Sequence, residues 1–320
     1  MAAVPEMIGH VPVLVNEVCE IFNPCLGTGV IVDATVGGGG HTSALVRAFL
    51  EKEGSKGNPG VQILGIDLDP ESLAIAFSRL EGFGCQMIDI DAGSKRGSAT
   101  PLVCLVKANY ADMATVVNRL GFKPIKGVLM DLGISSIQLQ PERGFSFDAD
   151  GPLDMRFDRT GGGKSCLDII RRASVRDLER WLKDYGDEPA ARRIGRRIYS
   201  WRRRINTTRD LADLVASLVP ARRRHRTLAR VFQALRIVVN REIESLRCGL
   251  EAAVRILAPG GRLVVICYQS GEDRCVKEIL RRHKGCLRNL TPKPLRPSLG
   301  EVGLNPRARS ARLRALEKVL

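Results

Sequence analysis

Residues 31–42 read Ile-Val-Asp-Ala-Thr-Val-Gly-Gly-Gly-Gly-His-Thr, and this stretch constrains the fold more than any other part of the chain. An apolar run ends at Asp33, four glycines follow, and a helix-compatible segment begins after His41. This succession predicts a strand, a turn and a helix. Because glycine has no Cβ, such a turn lets the backbone approach a ligand closely, which is typical of nucleotide-type cofactor sites.

The sequence on either side of a long interruption alternates between apolar runs and helical patterns. Strands are predicted at residues 29–33, 62–67, 102–107, 127–131 and 262–268. Helices are predicted at residues 13–22, 42–52, 70–80, 113–120 and 228–256. The aperiodic segments 54–60 and 85–101 are predicted as surface loops. Strands and helices at this spacing predict right-handed βαβ units and an α/β fold with a doubly wound, mostly parallel sheet.

The pattern changes from about residue 141 onward. Residues 143–163 are rich in Gly, Asp and Arg and have little periodicity. Helices are then predicted near residues 166–173, 175–185, 189–204 and 208–218, and no strand is predicted before residue 263. We therefore predict a discontinuous sheet domain of residues 1–136 and 229–320, interrupted by an all-helical insertion of residues 137–228.

Three of the predicted strands end in a carboxylate, at Asp33, Asp67 and Asp131. Asp67 can accept both hydroxyls of an adenosine ribose, and this suits NAD and S-adenosylmethionine alike. A pocket with three acids repels a pyrophosphate and suits a sulfonium with an α-ammonium group, which favours S-adenosylmethionine. The alternative, that Asp33 and Asp131 merely cap the turns after their strands, stays open.

Two phosphate-binding patterns are incomplete in this chain. Gly37 and Gly39 fit the dinucleotide pattern G-x-G-x-x-G, but Thr42 stands at its last position. Residues 161–165 end like a phosphate loop, but Asp158 stands where the first glycine is required and no strand precedes it. We reject the phosphate loop, and a nicotinamide oxidoreductase would explain only the first strand, turn and helix.

The charge of the chain predicts a polyanionic partner. Lys and Arg number 50 against 35 Asp and Glu, which gives a formal net charge of +15. Ile194 and Ile198 face one side of a predicted helix whose other side is basic, and we expect this face and nearby arginines to contact phosphates. A solvated charged surface is the alternative. The candidate residues are Arg192, Arg193, Arg196, Arg197, Arg202, Arg203, Arg204, Arg222, Arg223, Arg224, Arg226 and Arg230, with Arg307, Arg309, Arg312 and Arg314 near the end of the chain.

Several classes of protein are excluded by what the sequence lacks. Its nine cysteines show no short metal-ligand spacing, so neither a metal site nor a disulfide framework is expected. No apolar run approaches the roughly 18 residues of a membrane span, and no targeting segment is visible. We expect no membrane partner and a location in the bacterial cytoplasm or in an organelle, either mitochondrion or plastid. The oligomeric state, monomer or homodimer, stays open.

Ten short motifs follow one another in order and together resemble one family. They lie at residues 10–14, 33–42, 65–70, 131–138, 142–147, 151–156, 185–188, 232–237, 258–262 and 305–310. The ordered set resembles the S-adenosylmethionine-dependent ribosomal RNA cytidine N4-methyltransferases, the RsmH or MraW family. The resemblance implies a Rossmann-like class I methyltransferase domain with a helical insertion. It further implies S-adenosylmethionine as cofactor and 16S-type ribosomal RNA of the small ribosomal subunit as substrate.

Matching motifs also imply which residues contact the cofactor. These are Gly39, Gly40, His41, Asp67, Tyr110, Asp131 and Gln138. For His41 the alternative is a residue at a helix start that bonds only to backbone, and for Tyr110 it is an ordinary place in the core.

Methyl transfer to the exocyclic amine of cytosine needs groups that align a weak nucleophile and accept its hydrogen bonds. The candidates on the substrate side are Ser135, Ser136, Asp154 and Arg156. A salt bridge between Asp154 and Arg156 that only braces its loop is the alternative.

The chain departs from the family pattern in two places. Residues 267–273 read Cys-Tyr-Gln-Ser-Gly-Glu-Asp where the family usually has Ser-Phe-His-Ser-Leu-Glu-Asp, so Gln269 replaces a His and Gly271 a Leu. Residues 226–230 read Arg-Thr-Leu-Ala-Arg where bacterial members have His-Pro-Ala-Thr-Arg, and His225 lies one place early. These departures suit the alternative function of a non-catalytic ribosome-assembly factor that keeps the cofactor fold.

Overall fold

Strands and helices alternate as the hydrophobic pattern predicts in the computed structural model, which describes residues 12–27, 29–53, 63–90, 101–135 and 137–319. The strands are β1 (Val30–Asp33), β2 (Ile63–Asp67), β3 (Cys85–Ile88), β4 (Val103–Lys107), β5 (Ile125–Asp131), β6 (Leu257–Cys267), β7 (Leu287–Asn289) and β8 (Arg312–Lys318). The α-helices are α1 (Val15–Phe22), α2 (Gly40–Glu53), α3 (Pro70–Leu80), α4 (Met113–Leu120), α5 (Cys166–Arg172), α6 (Val175–Asp184), α7 (Ala191–Trp201), α8 (Thr208–Ala216), α9 (Arg224–Asn240), α10 (Glu242–Ile256), α11 (Ser270–Arg282) and α12 (Leu299–Leu304). Short 3-10 helices cover Asn23–Cys25, Glu81–Phe83, Tyr110–Asp112, Ile137–Leu139, Pro141–Arg143, Ala221–Arg223 and Pro306–Ser310.

The eight strands form one sheet in the order β3-β4-β2-β1-β5-β6-β8-β7. Strands β1 to β6 pair in parallel, whereas β8 is antiparallel to both β6 and β7. Strand β2 pairs with one edge of β1, and β5, which comes later in the chain, pairs with its other edge. This reversal makes the β1–β5 boundary a topological switch point, where open α/β sheets bind ligands. The predicted doubly wound, Rossmann-like α/β fold is confirmed.

Both faces of the sheet are covered, which explains why its central strands are apolar throughout. Leu129 belongs to a buried cluster that α1, α2 and α3 share with the sheet. The next residue of β5, Met130, points to the opposite face, where its methyl group lies against α10 at Gly249. All four residues of β1 are buried.

The chain divides into two units, residues 1–133 with 245–320 and residues 134–244. The second unit has its own hydrophobic core, built by α5 to α9. Ser165, Ser174 and Thr207 start three of its helices through capping boxes, each with an Asp three residues later. The described residues of this unit hold no strand, only an isolated bridge between Pro152 and Thr207.

The second unit extends beyond the predicted boundaries of 137 and 228 at both ends. Helix α9 belongs to this unit because Val231, Phe232 and Leu235 are buried in its core. The predicted single helix over 228–256 is wrong, since α9 ends at Asn240 and Arg241 takes a left-handed conformation with φ 52° before α10 begins.

The predicted loop over 85–101 is wrong at its start. Residues 85–88 form β3, which pairs in parallel with β4 at the edge of the sheet. Gln86 and Met87 are exposed, so this edge strand shows no apolar alternation from which it could be recognised. Residues 91–100 and the predicted loop at 54–60 lie outside the described residues. In the described part of the chain no helix is both long enough and apolar enough to cross a membrane.

Candidate cofactor and substrate site

Asp67, Asp33 and Asp131 are the last residues of β2, β1 and β5, which are neighbours in the sheet. Because these strands are parallel, their carboxyl ends lie along one edge, at the switch point described above. The sheet therefore brings together the three acids that the sequence predicts for a cofactor site.

The glycine turn between β1 and α2 is held by hydrogen bonds to this acidic edge. The backbone N–H of Gly37 donates to Asp67 Oδ2 over 2.8 Å. Gly39 has φ 78°, and a Cβ there would lie 3.1 Å from Leu80 Cδ1 and 3.3 Å from Ala76 Cα. Glycine is needed at this position for both the left-handed conformation and the close approach to α3. Gly40 is the first residue of α2.

Asp67 keeps a partly accessible carboxylate at the tip of β2. Its Oδ1 accepts from the backbone N–H of Asp69 over 2.9 Å, and Asp69 in turn caps α3. Burial raises the pKa of Asp67 to about 6, although the N–H groups of Asp69 and Gly37 partly offset this rise. Each carboxylate oxygen can accept further hydrogen bonds, so Asp67 remains able to bind a pair of hydroxyls.

Asp33 stabilises the glycine turn by accepting hydrogen bonds from its residues. It is 1% exposed, and its oxygens accept from the Thr42 hydroxyl over 2.7 Å and from the Thr35 N–H over 3.3 Å. Burial raises its pKa to about 6, offset in part by His41, Thr42 and Thr35. These contacts are those expected of the alternative in which Asp33 caps the turn after its strand. They also give a reason for threonine at position 42, where the dinucleotide-binding pattern would require a glycine: its hydroxyl bonds to Asp33.

Asp131 is contacted from two other elements. Tyr268, just after β6, donates its hydroxyl to Asp131 Oδ1 over 2.9 Å. His41 Nδ1 lies 3.6 Å from Asp131 Oδ2. The backbone N–H of Asp131 donates to the Thr35 hydroxyl over 2.7 Å. Burial raises the pKa of Asp131 to about 7, and the Tyr268 hydrogen bond limits this rise.

His41 lies in the first turn of α2 and is 7% exposed. Its Nε2 is 2.9 Å from the carbonyl oxygen of Val13, which makes it the donor to that oxygen. Burial lowers the pKa of His41, and nearby Asp33 and the Val13 carbonyl partly offset this fall. Its Nδ1 is directed toward Asp131. The contact with Asp131 goes beyond the alternative of a residue that bonds only to backbone.

Tyr110 begins a 3-10 helix beyond β4, on the far side of β2 from β1. Its ring lies against Gly249 of α10, where a Cβ would be only 2.6 Å from Tyr110 Cδ2. Asn109 fixes this turn, because its side chain accepts from the N–H of Ala111 over 2.9 Å and donates to the Ser245 hydroxyl over 3.3 Å. Tyr110 is only partly buried, so its ring is not a full member of the core.

The remaining predicted site residues belong to the second unit. Gln138 is buried, and its side-chain oxygen accepts from the N–H of Ser135 over 3.0 Å. The Ser135 hydroxyl is buried and has no hydrogen-bond partner among the described residues. Ser136 lies outside them. A buried hydroxyl without a partner is costly, unless a ligand or water completes it.

Asp154 and Arg156 form a bidentate ion pair. Arg156 Nε donates to Asp154 Oδ1 over 2.7 Å and Nη2 donates to Oδ2 over 2.8 Å. Burial opposes ionisation of Asp154, but the hydrogen bonds from Arg156 hold its pKa below the usual range. Both carboxylate oxygens are thus engaged by one guanidinium, as in the alternative in which the pair braces its loop.

Buried Arg143 holds the same loop from inside. Its Nη2 donates to the carbonyl oxygens of Arg156 and Phe157, over 3.3 and 3.0 Å. Asn240 of α9 donates to the Met155 carbonyl over 2.7 Å and accepts from the Phe157 N–H over 2.9 Å. The loop from 143 to 157 is therefore fixed within the second unit.

Helix α7 presents the predicted basic face. Ile194 and Ile198 are buried, and the arginines at 192, 193, 196 and 197 are exposed. A groove of about 760 Å³ runs along them, lined by Pro189, Ala190, Arg192, Arg193, Arg196, Arg197, Ser200 and Leu218. The structure thus places four of the predicted phosphate-binding residues on one groove.

Aromatic rings orient three guanidinium groups at the end of α7, that of Arg197 from the groove and those of Arg202 and Arg204. Arg197 and Arg204 lie over the Trp201 ring at 4.7 and 5.0 Å, and Arg202 lies over Tyr199 at 3.8 Å. Such stacking orders a guanidinium without neutralising it.

The other predicted arginines differ in their surroundings. Arg203 is exposed, as are the arginines at 222, 223, 224 and 226. Arg230 lies 3.7 Å from buried Glu188. In the first unit Arg307 and Arg309 are exposed, but Arg314 is 7% exposed and donates to Asp273 over 2.5 Å. The expectation that Arg314 adds to a phosphate-binding surface is therefore wrong, because β8 turns its side chain toward α11.

Comparison with known proteins decides the family. The model of the MraW methylase family matches residues 7–319. The chain belongs to this family. A ribosomal RNA small subunit methyltransferase H from Thermomicrobium roseum is 41% identical over 98% of this chain and 95% of its own length. Proteins of the same name from Carboxydothermus hydrogenoformans and Persephonella marina are 40% and 39% identical, over 97% and 98% of this chain and 98% and 100% of their own lengths.

In this member of the MraW methylase family, the departure at Gln269 and its neighbour Tyr268 have visible structural roles. Gln269 caps α11 in a capping box with Glu272, so it serves the start of that helix. Tyr268 supplies a hydroxyl to Asp131. His225 is exposed and packs edge-on against the Phe147 ring at 5.3 Å.

Sequence reasoning missed Tyr268, Thr35 and Gly249 as parts of the site. The signal for Tyr268 was its position where this family usually has Phe. Thr35 and Gly249 gave no such signal, since a hydroxyl in a turn and a glycine in a helix are both common.

Proposed function

We propose that this protein transfers a methyl group from S-adenosylmethionine to the exocyclic N4 amine of a cytidine in small-subunit ribosomal RNA. The observation that carries the proposal is the acidic edge formed by β2, β1 and β5, with the glycine turn bonded to it through Gly37 and Asp67. The names of the relatives support the choice of ribosomal RNA as substrate.

The residues of the acidic edge fit the methyl donor. The Asp67 carboxylate would hold the ribose hydroxyls of the bound donor, and Tyr110 would contact its adenine. The turn at Gly37, Gly39 and Gly40 would let the backbone approach the bound donor closely, and Asp131 would bind its cationic end. S-adenosylmethionine supplies the sulfonium methyl group when it is bound. Asp33 supports the turn from beneath through Thr42.

We assign the substrate side to the second unit. The Ser135 hydroxyl, buried and without a partner among the described residues, is available to accept from or donate to the target base. Gln138 fixes the Ser135 backbone. The loop braced by Asp154 and Arg156 is the proposed contact for the cytosine, which must be held in one orientation for its weakly nucleophilic amine to react.

The basic groove on α7 binds the RNA backbone. Residues four apart on a helix lie on the same side of it, so Arg192 and Arg196 form one row and Arg193 and Arg197 a second. Arg193 donates to the Leu218 carbonyl, which leaves its charge uncompensated, whereas Arg196 is 3.1 Å from Glu179. Two rows of guanidinium groups along a groove suit the phosphates of a nucleic-acid strand. Arg202, Arg203, Arg204 and Arg230 extend the proposed contact surface within the second unit, and Arg307 and Arg309 of the first unit are further proposed phosphate contacts.

The proposal is tested by incubating the protein with labelled S-adenosylmethionine and with small-subunit RNA, both free and in assembled subunits. The RNA is then digested and its nucleosides are separated by mass spectrometry. We expect N4-methylcytidine with the wild-type protein and none with Asp67→Ala. Cofactor and RNA binding without methylated cytidine would instead support the non-catalytic assembly factor.

A further inference from the structure

Tyr268 makes a contact that its phenylalanine counterpart in the family pattern cannot make. Its hydroxyl donates to Asp131 Oδ1 over 2.9 Å, and both residues lie in the first unit. Burial and the neighbouring Asp131 raise the pKa of the Tyr268 hydroxyl, so it stays protonated and acts as the donor. The extra oxygen of this side chain thus points at a carboxylate of the cofactor site.

The tyrosine is held in place at both ends. Its backbone N–H donates to Glu272 Oε2 over 2.8 Å, as does the N–H of Gln269 over 3.1 Å, within the capping box of α11. Its ring packs against Gly133, where a Cβ would lie 3.3 Å from Tyr268 Cδ2. The hydroxyl therefore reaches Asp131 without the freedom to swing away.

The charge balance around Asp131 makes this hydrogen bond important. A hydrogen bond donated to a carboxylate favours its ionised form. His41 Nδ1 is 3.6 Å from Asp131 Oδ2, and burial lowers the pKa of His41, which disfavours a positive charge on this neighbour. The other charged groups that act on Asp131, Tyr268 or His41 are the acids Asp33, Glu272 and Glu301. Among the described residues, Tyr268 is thus the side-chain hydrogen-bond donor that offsets burial at Asp131.

We propose that Tyr268 is a positioning residue that keeps the Asp131 carboxylate oriented and negatively charged toward the cationic end of the methyl donor. The inference rests on the proposed function. Tyr268 acts through Asp131, with no contact to the reacting atoms required.

The test measures binding of S-adenosylhomocysteine and S-adenosylmethionine to wild-type protein and to Tyr268→Phe across the neutral pH range. Titration of the ligand's own amino group is the same for both proteins, so differences between the pH profiles report the protein. We expect Tyr268→Phe to bind on the order of tenfold more weakly near pH 7, which is the effect of one pKa unit. We expect its affinity to approach that of the wild type at higher pH, where Asp131 is ionised in both proteins.

Two further variants distinguish an effect of Tyr268 on Asp131 from a general disturbance of the fold. Tyr185→Phe removes a tyrosine hydroxyl in the second unit and should leave the pH profile unchanged. In Asp131→Asn there is no carboxylate to hold ionised, so adding Tyr268→Phe should shift the profile no further. A uniform loss of affinity at every pH, or an unchanged profile, in Tyr268→Phe overturns the inference.

Failure of the proposed function would look different. If the wild-type protein binds neither ligand at any pH, the cofactor assignment itself is wrong. If the wild type binds both ligands and Tyr268→Phe behaves identically, only the role of Tyr268 is wrong.

Discussion

The backbone N–H of Gly37 donates to the carboxylate of Asp67 over 2.8 Å, which ties the glycine turn after β1 to the end of β2. Asp67 thereby has two tasks, to hold the turn and to present its remaining lone pairs to a ligand. A change at this residue acts on both the shape and the chemistry of the site.

Asp67→Asn should weaken S-adenosylhomocysteine binding by about 10- to 100-fold, since hydrogen bonds to a charged group each contribute about 1.5–3 kcal/mol. Calorimetric titration measures the loss. Asp69→Asn is the matched control, because asparagine also caps helices and can keep the cap on α3. Equal affinities for wild-type protein and Asp67→Asn would show that Asp67 does not bind the ribose.

Gly39→Ala should destabilise the protein by about 1–3 kcal/mol. The alanine would have to adopt a left-handed backbone conformation, and its Cβ would approach Ala76 and Leu80 of α3 too closely. Chemical denaturation measures the change in the free energy of unfolding. Gly82→Ala is the control, since a Cβ there meets no atom within 4 Å. Equal decreases in the free energy of unfolding for Gly39→Ala and Gly82→Ala would contradict this role of Gly39.

Asp131→Asn should stabilise the protein above pH 7 while weakening cofactor binding. The folded-state pKa of Asp131, about 7, exceeds that of an unfolded chain, so the folded protein binds the proton more tightly. The stability associated with this group is present at acidic pH and is lost as pH rises from about 4 to 7. Thermal unfolding at several pH values should show a higher melting temperature for Asp131→Asn at pH 8 and little difference at pH 4. A lower melting temperature at pH 8 would contradict this reasoning.

Replacement of the four α7 arginines, at 192, 193, 196 and 197, by glutamine should make RNA binding less dependent on salt. If each contacts one phosphate, the slope of log affinity against log salt should fall in magnitude by about 3. Arg180 and Arg241 provide controls, because both are exposed arginines of the same unit that do not line the groove. Unchanged slopes in the quadruple variant would exclude the groove as a phosphate site.

Asp154→Ala and Arg156→Ala should lower single-turnover methylation by similar factors, because each removes one half of the same brace. The double variant should be no worse than either single variant, as expected of residues that act as a unit. A much larger loss for Asp154→Ala than for Arg156→Ala would show that Asp154 itself contacts the substrate. Normal methylation by Asp154→Ala would remove the pair from the site.

The hydrophobic pattern determined most of the parallel sheet, because buried strands need unbroken apolar runs and their tips need polar residues. The apolar runs of β1, β2, β4 and β5 made them visible, and Asp33, Asp67 and Asp131 marked three of their ends. Strand β3 was invisible because half of it is exposed at the sheet edge. The break at Arg241 was also hidden, since arginine gives no sign of a left-handed conformation.

By itself, the sequence determined which elements form and which residues carry chemistry, because periodicity and residue type are local properties. Only the tertiary structure decided which role each of the three acids near the glycine turn has. Asp33 is buried beneath the turn, and Asp67 holds the turn and stays partly accessible. Asp131 is paired with Tyr268, which follows β6 and is 137 residues away in the sequence. Such contacts depend on the pairing of β1, β2, β5 and β6 across the sheet, and no spacing within the chain encodes them.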